Sequence, residues 1–444
     1  MAASNRSGFL ALLAFAAGFC LIPLVFKGQE PLFVHVTGPR QVHNDRIMYL
    51  SGCIVMSHDA YYSPRYESVN LKKAFTPRLV NFVLEEEAGA SKGFTFVGNP
   101  DLNYGLHADI QVLSDTLRAN SGKTLVYTTV PGALVLGIFD FEIYHARLIL
   151  DEIDSNFTTV SPHTARLRAL LDEYVATLKL ARPEDSPANR RMAGAFAAFR
   201  EMRGKAASAL DSLFGAEQAV MNRFDRVDQG ELQTMLASHA ANYDHPDLTR
   251  SEITPFLKPH ELFRTPLARD IYLQFMTLFA AMAKERNVTF VVHLMPLYNV
   301  TPEDAKTSYR PHFVDQLRQT LAGFDNVRIM DLGESTGDMC IKDVAEAPLA
   351  RRGLMYYITG KLIHARLFAQ AAIKEGFFQA RTPVRPLRDF YGVSFSMDGC
   401  KATPRVAENP IAFGFFPFVD TPLTTYNEMT SYWPFMRNLG VVYD

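Results

Sequence analysis

Ser51-Gly52-Cys53 ends a short apolar run, with His58 close behind it in sequence. A hydroxyl or thiol beside an imidazole is the minimal equipment for nucleophilic catalysis, because the imidazole takes the proton that otherwise keeps the oxygen or sulfur unreactive. Three further residues sit where apolar runs stop: Asp140 in Ala133–Phe141, His293 in Val288–Leu294, and Asp331 closing Val327–Asp331. His293 has the chemistry of a general base or a metal ligand, and two carboxylates at neighbouring strand ends can converge above a sheet. Each has a plainer reading: a buried thiol at a strand end, a core histidine with its bonds made, and carboxylates without a nucleophile or metal to serve. None of the five candidates, Ser51, Cys53, Asp140, His293 and Asp331, carries a motif that overrides the plainer reading.

The elements that must position these residues follow from periodicity. Phe94–Val97 reads as a buried strand, Gly98 allows a sharp turn, and Ala108–Arg118 follows as a helix. Such a strand–turn–helix junction carries the attacking serine in many α/β hydrolytic enzymes, close to backbone N–H groups that stabilise an oxyanion. Here the turn is Gly98-Asn99-Pro100, with no Ser, Cys or Thr in it. Leu79–Glu87 reads as an amphipathic helix and Ala133–Phe141 as a buried strand ending in Asp140. After a long Ala-, Leu-, Arg- and Glu-rich stretch, alternation returns clearly: helix Leu267–Arg286, strand Val288–Leu294, helix Pro311–Ala322, strand Val327–Asp331 and helix Gly360–Glu375. Helices and strands alternating at short spacing predict an α/β fold built on a parallel, helix-flanked sheet. Binding sites in such sheets gather at the carboxyl ends of the strands, here Gly98, Asp140, His293–Pro296 and Asp331.

The chain has 444 residues, 48% of them apolar, and a formal net charge of −2 with no extended basic run. That balance excludes a nucleic-acid binder. Gly8–Phe26 is an uncharged run of nineteen residues between Arg6 and Lys27. At ~1.5 Å per residue it covers roughly 28 Å, enough to span a bilayer's hydrocarbon core. No A-x-A cleavage site follows, so a retained anchor is expected, with the bulk of the chain on the non-cytosolic side. The four Cys, Cys20, Cys53, Cys340 and Cys400, form no CxxC pair and no metal-like spacing. His239, Asp244, His245 and Asp247 crowd a loop but match no helical ligand pair, and Asp225–Gly230 lacks the oxygen pattern of a calcium loop. With no Gly-rich phosphate loop either, no cofactor and no metal are expected.

At the level of pattern the chain resembles the SGNH/GDSL hydrolase-like proteins of bacterial envelopes, over about residues 69–148 and 263–373. Val69-Asn70-Leu71-Lys72-Lys73 followed by Arg78 resembles the basic segment before that family's first strand. Phe94–Leu106 resembles its first catalytic block, where a hydrophobic strand leads into Gly-Ser-Ser or Gly-Asp-Ser. Leu134–Tyr144 is similar to its second core strand, Val288–Pro296 and Val327–Leu332 to its later strands, and Gly353–Phe368 to its final helix. The resemblance implies a Ser nucleophile, a His base oriented by an Asp, and oxyanion donors from a Gly and an Asn. Asn99 or Pro100 stands where the Ser belongs, and Leu354-Met355-Tyr356-Tyr357 stands where Asp-x-x-His belongs. An amide is not deprotonated near neutral pH, and proline has no N–H to offer.

The expectation is therefore a three-layer α/β protein of SGNH/flavodoxin-like type with one N-terminal transmembrane helix and degenerate catalytic positions at Gly98, Asn99 and Pro100. Its segments are a tail and anchor (1–29), a membrane-proximal segment with the first half of the α/β domain (30–143), a helical insertion (144–263), the second half (264–378) and an aromatic, Pro-rich extension (379–444). Glu30–Phe75 falls in the membrane-proximal part, with strand-like runs such as Ile47–Leu50. The expected function is that of a non-catalytic accessory or structural subunit, a pseudoenzyme, bound to the bilayer through Gly8–Phe26. Protein partners would be met by the insertion and the extension, in a bacterial envelope or, in a eukaryote, an organelle membrane. The alternative is an active carbohydrate-ester hydrolase or O-acyltransferase with a displaced site.

Overall fold

The computed structural model describes residues 44–50, 75–98, 106–129, 140–178, 227–242, 266–300, 306–336 and 358–394. Five parallel strands form the main sheet in the order β2-β1-β3-β4-β6. They are β1 (Arg46–Leu50), β2 (Thr95–Gly98), β3 (Thr124–Thr129), β4 (Thr289–Leu294) and β6 (Val327–Asp331). The chain thus steps one way from β1 to β2, then reverses and lays down β3, β4 and β6 on the other side. Right-handed crossovers dictate that helices joining strands in opposite directions lie on opposite faces.

One face is covered by α2 (Leu106–Ala119), α3 (Asp140–Asn156), α4 (Ser161–Leu178), α6 (Pro266–Glu285) and α7 (Arg310–Leu321). Their apolar residues join Ile47, Tyr49, Leu125, Tyr127, Phe290, Val292 and Leu294 of the strands in one core. Buried on nearly every side, α6 packs against β4 and against α2, α4 and α7. The other face takes α1 (Phe75–Phe82), a π-helical turn (Val83–Glu87), α5 (Gln229–Asn242) and α8 (Ile358–Lys374). There Met48, Val126, Val291 and Met330 meet Leu79, Val83, Leu362, Ala365 and Phe368 in a second core. The alternation of strand residues between the two cores is the two-residue period of a sheet buried on both sides. Past their ends, β4 and β6 run on into β5 (Leu297–Val300) and β7 (Glu334–Thr336), which pair parallel with each other.

Three sequence expectations need correction. β3 is a core strand in a stretch, 119–132, for which the sequence pattern predicted no element. Ile47–Leu50, expected in an entry segment ahead of the α/β domain, is β1 and pairs with both β2 and β3 inside the sheet. Asp140 does not end a strand: with Phe141 it opens α3, while residues 130–139 lie outside the described ones. In the stretch expected as an insertion, α3 and α4 share the first core through Ile149, Leu150, Leu167 and Leu171. Among the described residues no helix is long and apolar enough to cross a membrane, and Gly8–Phe26 lies outside them.

The start of β2 is fixed by an asparagine. Asn81 donates from Nδ2 to the Phe94 carbonyl and accepts the Phe94 N–H, both at 2.8 Å. This approach requires Gly93, where a Cβ would stand 2.1 Å from the Asn81 oxygen. At the end of the π turn, Glu87 takes Arg366 of α8 through Nε at 3.0 Å and Nη2 at 2.7 Å, with both side chains buried. Nη1 of Arg366 donates to the carbonyls of Pro386, Leu387 and Asp389, and the Tyr391 hydroxyl donates to Glu87 at 2.5 Å. Burial and the Glu87 carboxylate raise Tyr391 above the usual phenol range, so it stays protonated as the donor. The first part of the expected extension is thereby tied to the second core, where Phe378 and Phe390 are buried.

Glu87→Ala strands a buried guanidinium and should lower unfolding free energy by about 3–5 kcal/mol in urea titrations. The double variant Glu87→Met/Arg366→Met should lose less. A loss under about 1 kcal/mol for Glu87→Ala would mean that the pair does not hold the segment.

Candidate functional site

Ligands in a sheet of this kind meet the carboxyl ends of the strands where the strand order reverses, here between β1 and β3. Leu50, the last residue of β1, is in register with Gly98 on one side and Thr128 on the other. Thr128 is in register with His293, and His293 with Met330. A row of residues thus crosses the sheet near its carboxyl edge, and Thr128 and His293 carry its polar side chains.

These two make contact. The Thr128 hydroxyl and His293 Nδ1 share a hydrogen bond of 3.0 Å. The other ring nitrogen of His293, Nε2, lies 3.4 Å from Nε2 of His364 on α8. The two imidazoles are stacked, 5.3 Å between centroids and 10° between planes, and Phe368 closes the pocket at 4.8 Å from the His293 ring. Burial holds His293 well below the usual imidazole range, with smaller contributions from His364 and the Arg310 charge. Burial pushes His364 down to about 3. Both rings are therefore neutral at pH 7. A hydroxyl–imidazole pair has the atoms of a nucleophile and its base, yet Thr128 is 1% exposed and His293 0%. Buried to this degree, the hydroxyl is closed to a substrate carbonyl.

A second polar cluster closes the ends of β4 and β6. Arg310, 1% exposed at the start of α7, donates through Nη2 to the Met295 carbonyl at 2.7 Å and to Asp331 Oδ1 at 2.6 Å. Asp331 Oδ1 also accepts the Gly333 N–H at 3.0 Å, where a φ of +79° turns the chain towards β7 and suits glycine. A third lies behind the sheet. Asp109 of α2 is wholly buried and accepts the hydroxyls of Tyr49 at 2.5 Å and Tyr127 at 3.1 Å, whose rings stack at 5.6 Å. Beside it, burial raises Tyr272 far above its ordinary range, and its hydroxyl meets the Thr129 side chain.

The sequence candidates are thus distributed unevenly. His293 and Asp331 stand at the strand ends expected of them, but His293 is held by Thr128 and His364, and Asp331 by Arg310. Gly98 ends β2, an edge strand that lies away from the switch point. Ser51, Cys53, Asn99 and Pro100 lie outside the described residues. Among the described residues no three His, Cys, Asp or Glu side chains form a metal-binding cluster. Thr128, His364, Arg310 and Asp109 escaped the sequence reading. The one available signal was α8 itself: a helix with Leu362, Ile363, Ala365 and Phe368 on successive sides must bury its polar residues too.

No family model matches the chain, and no curated protein does either.

Thr128→Val keeps the shape of the side chain and leaves His293 Nδ1 unpaired in the core. It should cost about 1–3 kcal/mol in urea denaturation at pH 7.5. An unchanged midpoint would show that the hydroxyl is not the partner of His293.

Proposed function

We propose that the chain is a membrane-anchored, non-catalytic protein on an SGNH-hydrolase-like frame, acting as an accessory or structural subunit of a membrane-associated complex. The strand order, with reversal between β1 and β3, is the flavodoxin-type order that the resemblance implies. One observation carries the non-catalytic reading: His293, the one histidine in the described part of the carboxyl row, is fully buried, and so is the Thr128 hydroxyl beside it. The segment before α8, where the family's base would stand, reads Leu354-Met355-Tyr356-Tyr357. Gly8–Phe26 supports the anchor by length and composition, and partners would meet the stretch within 144–263 and the end of the chain.

The sheet order also favours a second reading. The first strand of the frame is β1, not β2, so the missing serine at Asn99-Pro100 no longer speaks against catalysis. The residues that follow β1 in sequence are Ser51-Gly52-Cys53. An ester hydrolase or acyltransferase of envelope glycans would draw its nucleophile from them, and its base from a histidine other than His293.

The full chain in mild detergent should not hydrolyse p-nitrophenyl acetate or acetylated glycans above the buffer rate, and should copurify within a larger assembly. Turnover that disappears with Ser51→Ala or Cys53→Ala would replace the first reading with the second.

A further inference from the structure

His293 and His364 come from opposite sides of one contact. His293 is the penultimate residue of β4, and His364 lies two turns into α8, the helix that covers the second face. Their Nε2 atoms face each other at 3.4 Å inside the core. A contact of this kind holds one proton: one ring donates and the other accepts, so the two must be neutral and in complementary tautomers. Either arrangement is completed by Thr128, whose hydroxyl donates to or accepts from His293 Nδ1.

Adding a proton changes the balance in two steps. The first buries an imidazolium, and the second puts two N–H groups nose to nose, where no hydrogen bond exists. Lys361 and Arg366 lie on α8 and Arg310 on α7, all cationic, and Arg310 already opposes protonation of His293. Glu87 on the π turn is taken by Arg366 and Tyr391, and Asp331 on β6 by Arg310 and Gly333. Asp109 lies behind the sheet with Tyr49 and Tyr127, and Glu231 lies in the first turn of α5.

We propose that the His293–His364 contact is an acid-sensitive latch, which holds α8 on the sheet at neutral pH and releases it on acidification. Release carries further along the chain, because Arg366 of the same helix anchors residues 386–391 through three carbonyls and Glu87. The sign follows from linkage. A histidine neutral in the closed state and free to titrate at its ordinary 6.5 in the open state leaves the balance unchanged above pH 6.5. It favours opening by up to about tenfold for each pH unit below that. Two such residues act together, so the open population rises steeply between pH 6.5 and 5. The device does not depend on whether the chain has a catalytic activity.

Hydrogen exchange of the full chain in mild detergent, corrected for the intrinsic pH dependence, tests it. Peptides from 358–374 should exchange at least tenfold faster at pH 5.0 than at pH 7.5, and regain protection on return. In His364→Gln and His293→Gln, which keep a hydrogen-bonding side chain but cannot titrate, the acceleration should shrink several-fold. Wild-type protection unchanged down to pH 5.0, or variants as acid-sensitive as the wild type, would overturn the latch. Should the variants fail to fold, imidazole C–H exchange in the wild type decides. Both histidines should become exchange-competent over the same pH range as the α8 amides, and rings still shielded after α8 has opened would refute the proposal.

Discussion

A parallel sheet cannot leave a face in water, and α8 is the element on which the second face depends. The first face is filled by five helices, with α6 at their centre. The second has α1 with its π turn, α5, and α8, which packs against α1 and the π turn and meets His293 of β4. The apolar side of α8 supplies Leu362, Ile363, Ala365, Phe368 and Ala369 to that core. Apolar contact alone tolerates sliding by a turn. Two polar contacts remove that freedom: His364 against His293 towards the carboxyl edge, and Arg366 against Glu87. Each satisfies groups that would otherwise be costly to bury, so each fixes one register of the helix on the sheet.

The same use of polar groups recurs elsewhere in the fold. Arg310 ties the carboxyl ends of β4 and β6, and Asp109 ties β1 and β3 through two tyrosine hydroxyls. In an enzyme the carboxyl edge would be expected to keep a base and a carboxylate within reach of solvent. Here the base is wholly buried, and the carboxylate at the end of β6 is bound to a guanidinium. Groups bonded in this way hold the edge in shape.

Sequence periodicity located much of the fold. The strands at Val288–Leu294 and Val327–Asp331 and the helices at Leu267–Arg286, Pro311–Ala322 and Gly360–Glu375 lie within two residues of their observed bounds at either end. Long apolar runs and a clear helical period made them readable. β3 was missed because Thr124, Thr128 and Thr129 break up its apolar run, although threonine suits a strand as well as valine does. β1 was seen as strand-like but misplaced, because a long stretch of chain separates it from α1, the helix that leads to β2. That misplacement moved the expected nucleophile turn from the end of β1 to the end of β2. The polar pairs were not legible for a different reason. His293 and His364 are far apart in sequence, as are Glu87 and Arg366, and only the topology brings them together.

The proposal of a non-catalytic protein requires that no activated nucleophile follow β1. Treating the full chain with a fluorophosphonate probe and mapping the adduct by mass spectrometry tests it most directly, because such probes react with a serine only where a base has raised its nucleophilicity. The account predicts no labelling at Ser51 above that of a heat-denatured control. Stoichiometric labelling of Ser51, lost on denaturation, would contradict it.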